Sequence, residues 1–138
     1  MQREYRNLLK AREANVSVPT PFTFSKNVLV LEFIGDDGAI APKLKDETPK
    51  NPKDFFDKII LNMKKLHKAG LVHADLSAFN ILNYNENPVF IDFSQCTTLK
   101  SSRANEFLER DIRNICNFFK KIGLNVDELK IKEQIIKK

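Results

Sequence analysis

The 138-residue sequence predicts one α+β domain. Three observations carry this expectation. Long stretches show apolar residues at helical spacing, one apolar run near residue 30 has strand length, and residues 81–93 read as a hairpin. Hydrophobic residues make up 42% and charged residues 30%, the balance of a soluble globular protein. No apolar run approaches the ~20 residues that span a bilayer. The N-terminus MQREYRNLLKAREAN is charged and lacks the apolar stretch of a secretory signal, so a cytoplasmic location and no membrane partner are expected. Cys96 and Cys116 form no C-x-x-C pair, and they read as buried free thiols rather than a disulfide or zinc site.

Each element follows from local signals. Residues 2–14 read as a helix carrying Tyr5, Leu8, Leu9 and Arg12 on neighbouring turns, broken at Asn15. Pro19 and Pro21 then impose an extended link. Residues 28–34, VLVLEFI, form the strand, ended by Gly35. GDDGAIAPKLKDETPKNP reads as a long exposed loop, a kind of segment that is often functional. Asn51-Pro52 is an N-cap followed by Pro at the first helical position. Phe55, Phe56, Ile59, Ile60, Met63 and Leu66 continue that helix until Gly70 stops it. Residues 81–84 and 89–93 are two short strands around the turn NENP. A second amphipathic helix covers 104–121, ended by Gly123, and a last one covers 127–138. Only one strand stands in the first third, and a lone strand cannot satisfy its own backbone edges. The N-terminal part is therefore expected to be a piece of a larger sheet, with an exposed edge at 28–33.

The chemistry concentrates in LVHADLSAFNILNYNENPVFIDF, residues 71–93. Asp75 precedes Asn80 by five residues, and Asp92 follows twelve residues later at the end of an apolar strand. Phosphoryl transfer needs such parts: one carboxylate to accept the nucleophile's proton, and a second that shares a metal ion with an amide oxygen. The spacing fits H-x-D-x-x-x-x-N followed by a metal-binding Asp. Taken singly, an Asp N-cap, an Asn in a turn and a strand-end Asp are commonplace; their joint spacing is specific. His73 reads as a packed, hydrogen-bonded structural residue rather than a base.

These motifs resemble the RIO family of atypical protein kinases, most closely its type-one branch. The resemblance is carried by LVHADLSAFNIL (71–82), IDFSQ (91–95) and NEFLERDIRNICNFFKKIG (105–123), with VPTPFTFSKNVLVLEFIGDDGAIAPKLKD (18–46) similar to the hinge and the loop after it. It implies a protein-kinase-like fold, mainly the helical large lobe plus helix C and the hinge strand of an incomplete small lobe. Residues 1–34 would be the remnant of the small lobe and hinge, and 35–138 the large lobe, with no second domain. It implies ATP and Mg2+ or Mn2+ as cofactors. Asp75 would be the catalytic Asp, Asn80 and Asp92 the metal ligands, and Asp92 also catalytic as a site of transient aspartyl phosphate. Glu32 and Ile34 would offer backbone groups to the adenine, with Leu31 as gatekeeper. Ser77 would touch phosphate, and Glu4 would be the helix-C glutamate. The function implied is a RIO-type serine/threonine-protein kinase or ATPase in maturation of the small ribosomal subunit, with the precursor subunit or its rRNA as partner.

The departures from ordinary kinases are informative. Ala74 stands where the HRD motif has Arg, and Asp92-Phe93-Ser94 replaces DFG. Fourteen residues from Asp92 to Glu106 leave no room for a normal activation segment. The four glycines form no G-x-G-x-x-G, and no Gly-rich loop or phosphate-gripping Lys is recognisable. The expectation is a split, truncated or degenerate kinase, with a second polypeptide or an upstream start as source of the missing strands. Two other readings stay open: a non-catalytic ribosome-binding pseudokinase lobe, and a small-molecule phosphotransferase of the aminoglycoside or choline kinase type. The net charge of +5 suits an RNA or ribosomal partner, and equally lysines on solvated helix faces.

Overall fold

The computed structural model describes residues 2–137. The chain begins with α1 (Gln2–Glu13) and a hairpin of β1 (Pro21–Ser25) and β2 (Val28–Leu31). A smaller hairpin, β3 (Gly35–Asp36) and β4 (Ala39–Ile40), precedes α2 (Pro52–Lys68). Then come β5 (Leu71–Val72), the β6 (Ile81–Tyr84) and β7 (Asn87–Phe90) hairpin, β8 (Thr97–Thr98), α3 (Ala104–Lys121) and α4 (Glu128–Ile136). Each strand pair is antiparallel, and β5 pairs with the distant β8. No helix among the described residues is long and apolar enough to cross a membrane.

The helices form the body. The Asn51 side chain accepts from the Asp54 amide at 3.2 Å and Pro52 opens α2, so both start signals act as the sequence implied. The core is built on α2 and α3, where Phe56 meets Phe119 edge-on at 5.2 Å. Ile131 and Ile135 bring α4 onto the same core. Burying such side chains contributes roughly 1.5–3 kcal/mol each. Cys96 and Cys116 are both buried free thiols, and burial pushes them up to about 12 and about 11.

The sheets correct several expectations. The 28–34 strand is not alone: PFTFS, expected as an extended link, forms β1 and pairs with β2 through a Lys26-Asn27 turn. Pro21 fits because it opens the strand, where a missing N–H is tolerated, and a bulge follows it. The strand itself ends at Leu31 rather than Ile34. The 35–52 segment is not a free loop either. Asp37 and Gly38 both adopt positive φ, 51° and 78°, which is the Asp-Gly signature of a two-residue hairpin turn. Beyond it, Ala41 and Leu44 are buried, the Leu44 amide donates to Ile81 O at 2.8 Å, and the Asn83 amide donates to Pro42 O at 2.7 Å. The 81–93 hairpin turns at Asn85-Glu86, so its second strand runs 87–90 rather than 89–93.

Candidate active site

Residues 73–80 link β5 to β6 and carry most of the predicted site. Ala74 sits at φ 72°, a left-handed conformation that costs a side-chain-bearing residue about 1–2 kcal/mol. Its surroundings over-determine it. Asp111 of α3, 1% exposed, accepts from the Ala74 amide at 2.9 Å and the Leu76 amide at 3.0 Å. Arg110 donates to Ala74 O, and Asn114 donates to Leu76 O at 3.2 Å. Burial pushes the Asp111 carboxyl up to about 6, and the two amides it accepts from oppose the shift.

His73 has the structural role expected of it. Its Nδ1 accepts from the Asp75 amide at 3.2 Å, which leaves Nε2 protonated to donate to Ile91 O at 2.9 Å. Burial holds its pKa below the usual histidine value, so the ring is neutral. It packs edge-on against Phe93 at 4.8 Å and thereby ties the loop to the strand that leads to Asp92.

Asp75 and Asn80 are brought together. Asn80 Nδ2 donates to Asp75 O at 2.8 Å and to Asp75 Oδ2 at 3.3 Å, so its amide oxygen faces away from that bond. The Ile91 amide donates to Asn80 O at 3.0 Å, which sets Asp92 one residue beyond. Asp92 is exposed at φ 58°, and its Oδ1 accepts from the Ser94 hydroxyl at 2.7 Å, leaving Oδ2 without a partner among the described residues. The donors available are hard oxygens, one carboxylate and one amide. Mg2+ suits such a set, because it keeps waters and takes further oxygens from phosphates rather than needing an all-protein cage. No cluster of three His, Cys, Asp or Glu side chains able to hold a metal ion exists among the described residues. The Ser77 hydroxyl accepts from the Phe79 amide at 3.2 Å and keeps its own hydrogen to donate.

Glu4 also reaches this region. From α1, its Oε2 accepts from the Phe93 amide at 3.2 Å, and partial burial raises its pKa, with the Asp92 charge adding to the rise. Arg3 and Asn7 both donate to Cys96 O, anchoring α1 over the segment after Asp92. At the hinge, the Glu32 amide donates to Thr20 O and its carboxylate caps Thr20, while Ile34 O accepts from the Ala41 amide. The Glu32 carbonyl and the Ile34 amide make no hydrogen bond among the described residues. Ile34 and Ile91 share a small apolar cluster with Ala41, Leu82 and Val89, so the hinge backs onto β7 and the residue before Asp92.

Asp111, Arg110 and Asn114, which hold the 74–76 backbone, are not signalled by the spacing of the motif. One signal was available: Asp111 lies on the apolar stripe of α3 beside Leu108, Ile112 and Ile115. A carboxylate at a core-facing position needs partners.

The RIO domain family model matches residues 1–133. The chain belongs to the RIO family. It is 41% identical to the RIO-type serine/threonine-protein kinase Rio1 of Thermoplasma acidophilum over 138 residues, all of this chain and 73% of that one. The Rio1 proteins of Haloferax volcanii and Methanocaldococcus jannaschii are 39% and 43% identical, across 92% and 94% of this chain. It spans only 44% and 45% of those two relatives. The RIO-type curated relatives are thus named as serine/threonine-protein kinases. Among solved structures, the Rio2 kinase–ADP/Mg2+-phosphoaspartate complex from Chaetomium thermophilum superposes with a TM-score of 0.76 at 22% identity, covering 98% of this chain and 44% of that one. The kinase-like α+β fold expected from the sequence is therefore the fold observed.

Proposed function

We propose that this RIO-domain chain carries the catalytic-base and metal-binding half of an ATP-dependent phosphoryl-transfer site. The observation that carries the reading is the pairing of Asp75 with Asn80, together with an Asp92 whose Oδ2 has no partner among the described residues. Mg2+, when bound, neutralises charge on the phosphate oxygens. Asn80 Oδ1 and Asp92 Oδ2 would hold it. Asp75, exposed at the loop tip, accepts the proton of the attacking hydroxyl or water, while the clamp from α3 keeps its backbone in place. The free Glu32 carbonyl and Ile34 amide receive the adenine edge, and Ser77 donates to a phosphate oxygen. Asp92 Oδ2 is also the oxygen able to take a phosphoryl group transiently, as the phosphoaspartate of the Rio2 complex suggests.

In this reading the groups that grip the outer phosphates would come from a further segment or a second polypeptide. Residues 2–34 are the small-lobe and hinge portion of this arrangement, and 35–137 the large lobe. The reading is a RIO-type serine/threonine-protein kinase or ATPase acting in the cytoplasm on the precursor of the small ribosomal subunit.

Steady-state phosphate release tests the role of Asp75. Asp75→Ala should lower kcat by about 10²–10⁴-fold with KM for ATP changed much less, because a base acts in the transition state. An equal loss in kcat and nucleotide affinity would contradict that role.

A further inference from the structure

The β1–β2 hairpin has two edges, and they differ. On β1, Pro21 lacks an N–H and a bulge follows it, two features that blunt an edge against further pairing. β2 is regular and belongs to a two-stranded sheet, so no strand among the described residues lies against its outer edge. Ser25 faces Val28 across the two-residue turn, and Phe24 faces Leu29. In such a hairpin the pair flanking the turn exchanges hydrogen bonds, and the backbone direction alternates from there. Leu29 and Leu31 therefore turn their N–H and C=O groups outwards, whereas Val28 and Val30 turn theirs to β1. Glu32 keeps the alternation, its amide donating to Thr20 O at 2.8 Å.

Residues 26–32 read KNVLVLE. A second strand can bond to this edge only where outward groups meet outward groups, so a symmetric antiparallel pairing is centred on Leu29 or on Leu31. Centred on Leu31, the apolar Val30 would lie opposite a charged Glu32. Centred on Leu29, Val28 lies opposite the partner's Val30 and Lys26 lies opposite the partner's Glu32, each pair occurring twice by symmetry. The side chains are available for it. Val28 and Val30 share one face of the strand and are 60% and 44% exposed. Lys26 is exposed and has no ion pair among the described residues. The Thr20 amide and hydroxyl both donate to Glu32 Oε1, at 3.0 and 2.9 Å, which leaves Oε2 without a partner among the described residues.

We propose that two copies of this chain pair through β2, antiparallel and centred on Leu29. The self-complementary pattern of charge and apolar side chains selects a second copy as the occupant. Each copy presents the same edge, so the contact is isologous, and the blunted β1 edge stops it from growing beyond two copies. The two hairpins become one four-stranded sheet, with cross-strand valine pairs flanked by cross-strand ion pairs. The interface is small, so its Kd is on the order of 10 µM. The pairing does not rest on the nucleotide reading.

Sedimentation velocity of the full chain between about 1 and 200 µM should show conversion from one copy to two. Lys26→Glu sets like charges opposite each other at both ends of the pairing and should weaken the dimer about tenfold. Lys26→Glu/Glu32→Lys restores opposite charges and should return the affinity to within about threefold of the unmodified chain. Disulfide trapping reads the register. Val28→Cys chains mixed with Val30→Cys chains should cross-link under mild oxidation, because directly opposed positions lie about 4.5 Å apart at Cα. Neither variant alone should do so, since its two cysteines are then offset along the strands beyond the roughly 7 Å a disulfide can bridge. Both positions are exposed, and Cys96 and Cys116 are buried and do not compete. The inference is overturned if the unmodified chain stays at one copy throughout that range, or if the double exchange fails to recover what Lys26→Glu loses. Cross-linking of either single variant as readily as the mixture would overturn it equally.

Discussion

The loop at residues 73–76 and the β1–β2 hairpin are held in opposite ways. The loop is gripped from below: a buried carboxylate, a guanidinium and an amide on α3 satisfy its amides and carbonyls. The hairpin and the turn after it show apolar side chains to solvent, with Phe22 at 59%, Val28 at 60%, Phe33 at 57% and Ile40 at 67% exposure. Apolar surface gathered in this way marks an interaction site more often than chance exposure. The chain fixes the position of its proposed base by its own contacts, whereas the proposed adenine-facing side exposes apolar side chains to solvent.

The clamp side of that contrast should break first. Asp111→Ala orphans two buried amides and releases the strained Ala74, and each orphaned amide costs about 1–3 kcal/mol. Urea unfolding near pH 5 should show a loss of about 4 kcal/mol. A loss below about 1 kcal/mol would mean that the loop is held by other contacts.

A pH series sharpens the same point. In the folded chain burial raises Asp111 to about 6, whereas an unfolded Asp titrates near about 3.9. A raised carboxyl pKa favours the protonated form in the folded state. The resulting stabilisation is therefore complete below about pH 4 and lost as the pH rises through about 6. The two values imply roughly 3 kcal/mol across that window, to order of magnitude. Asp111→Asn removes the titration. Stability of the unmodified chain minus that of the variant should decline between those limits, and a flat difference would show that Asp111 is not held in its neutral form.

The hairpin should respond least. Val28→Thr/Val30→Thr changes two side chains that are already exposed, so stability should move by no more than about 0.5 kcal/mol. Self-association, followed by light scattering, should fall. A destabilisation like that of Asp111→Ala would erase the distinction between the two regions.

The sequence made legible what depends on short-range chemistry. Asn51-Pro52 and Gly70 bound α2 because capping and chain termination are local, and the spacing of Asp75, Asn80 and Asp92 is itself the motif on which the proposed site rests. The family resemblance added the hinge expectation for Glu32 and Ile34, whose carbonyl and amide respectively make no hydrogen bond among the described residues. What escaped notice depends on distant partners. PFTFS is mostly exposed, so its strand identity shows only in its pairing with β2, not in a buried alternation. The burial of Leu44 comes from its backbone bond to Ile81, 37 positions later. Asp111 became visible as a clamp only when the fold placed α3 beneath the loop. The Asp37-Gly38 turn is different: its Asp-Gly signal is local but lies within a long polar, loop-like stretch.

The central claim is that Asp92 and Asn80 form the metal-binding side of a nucleotide site. Isothermal titration of the chain with ATP, with and without Mg2+, tests it most directly. Binding should depend on Mg2+ and be lost in Asp92→Ala with the thermal melt unchanged. Binding that is equal without Mg2+, or that survives Asp92→Ala, would contradict the account.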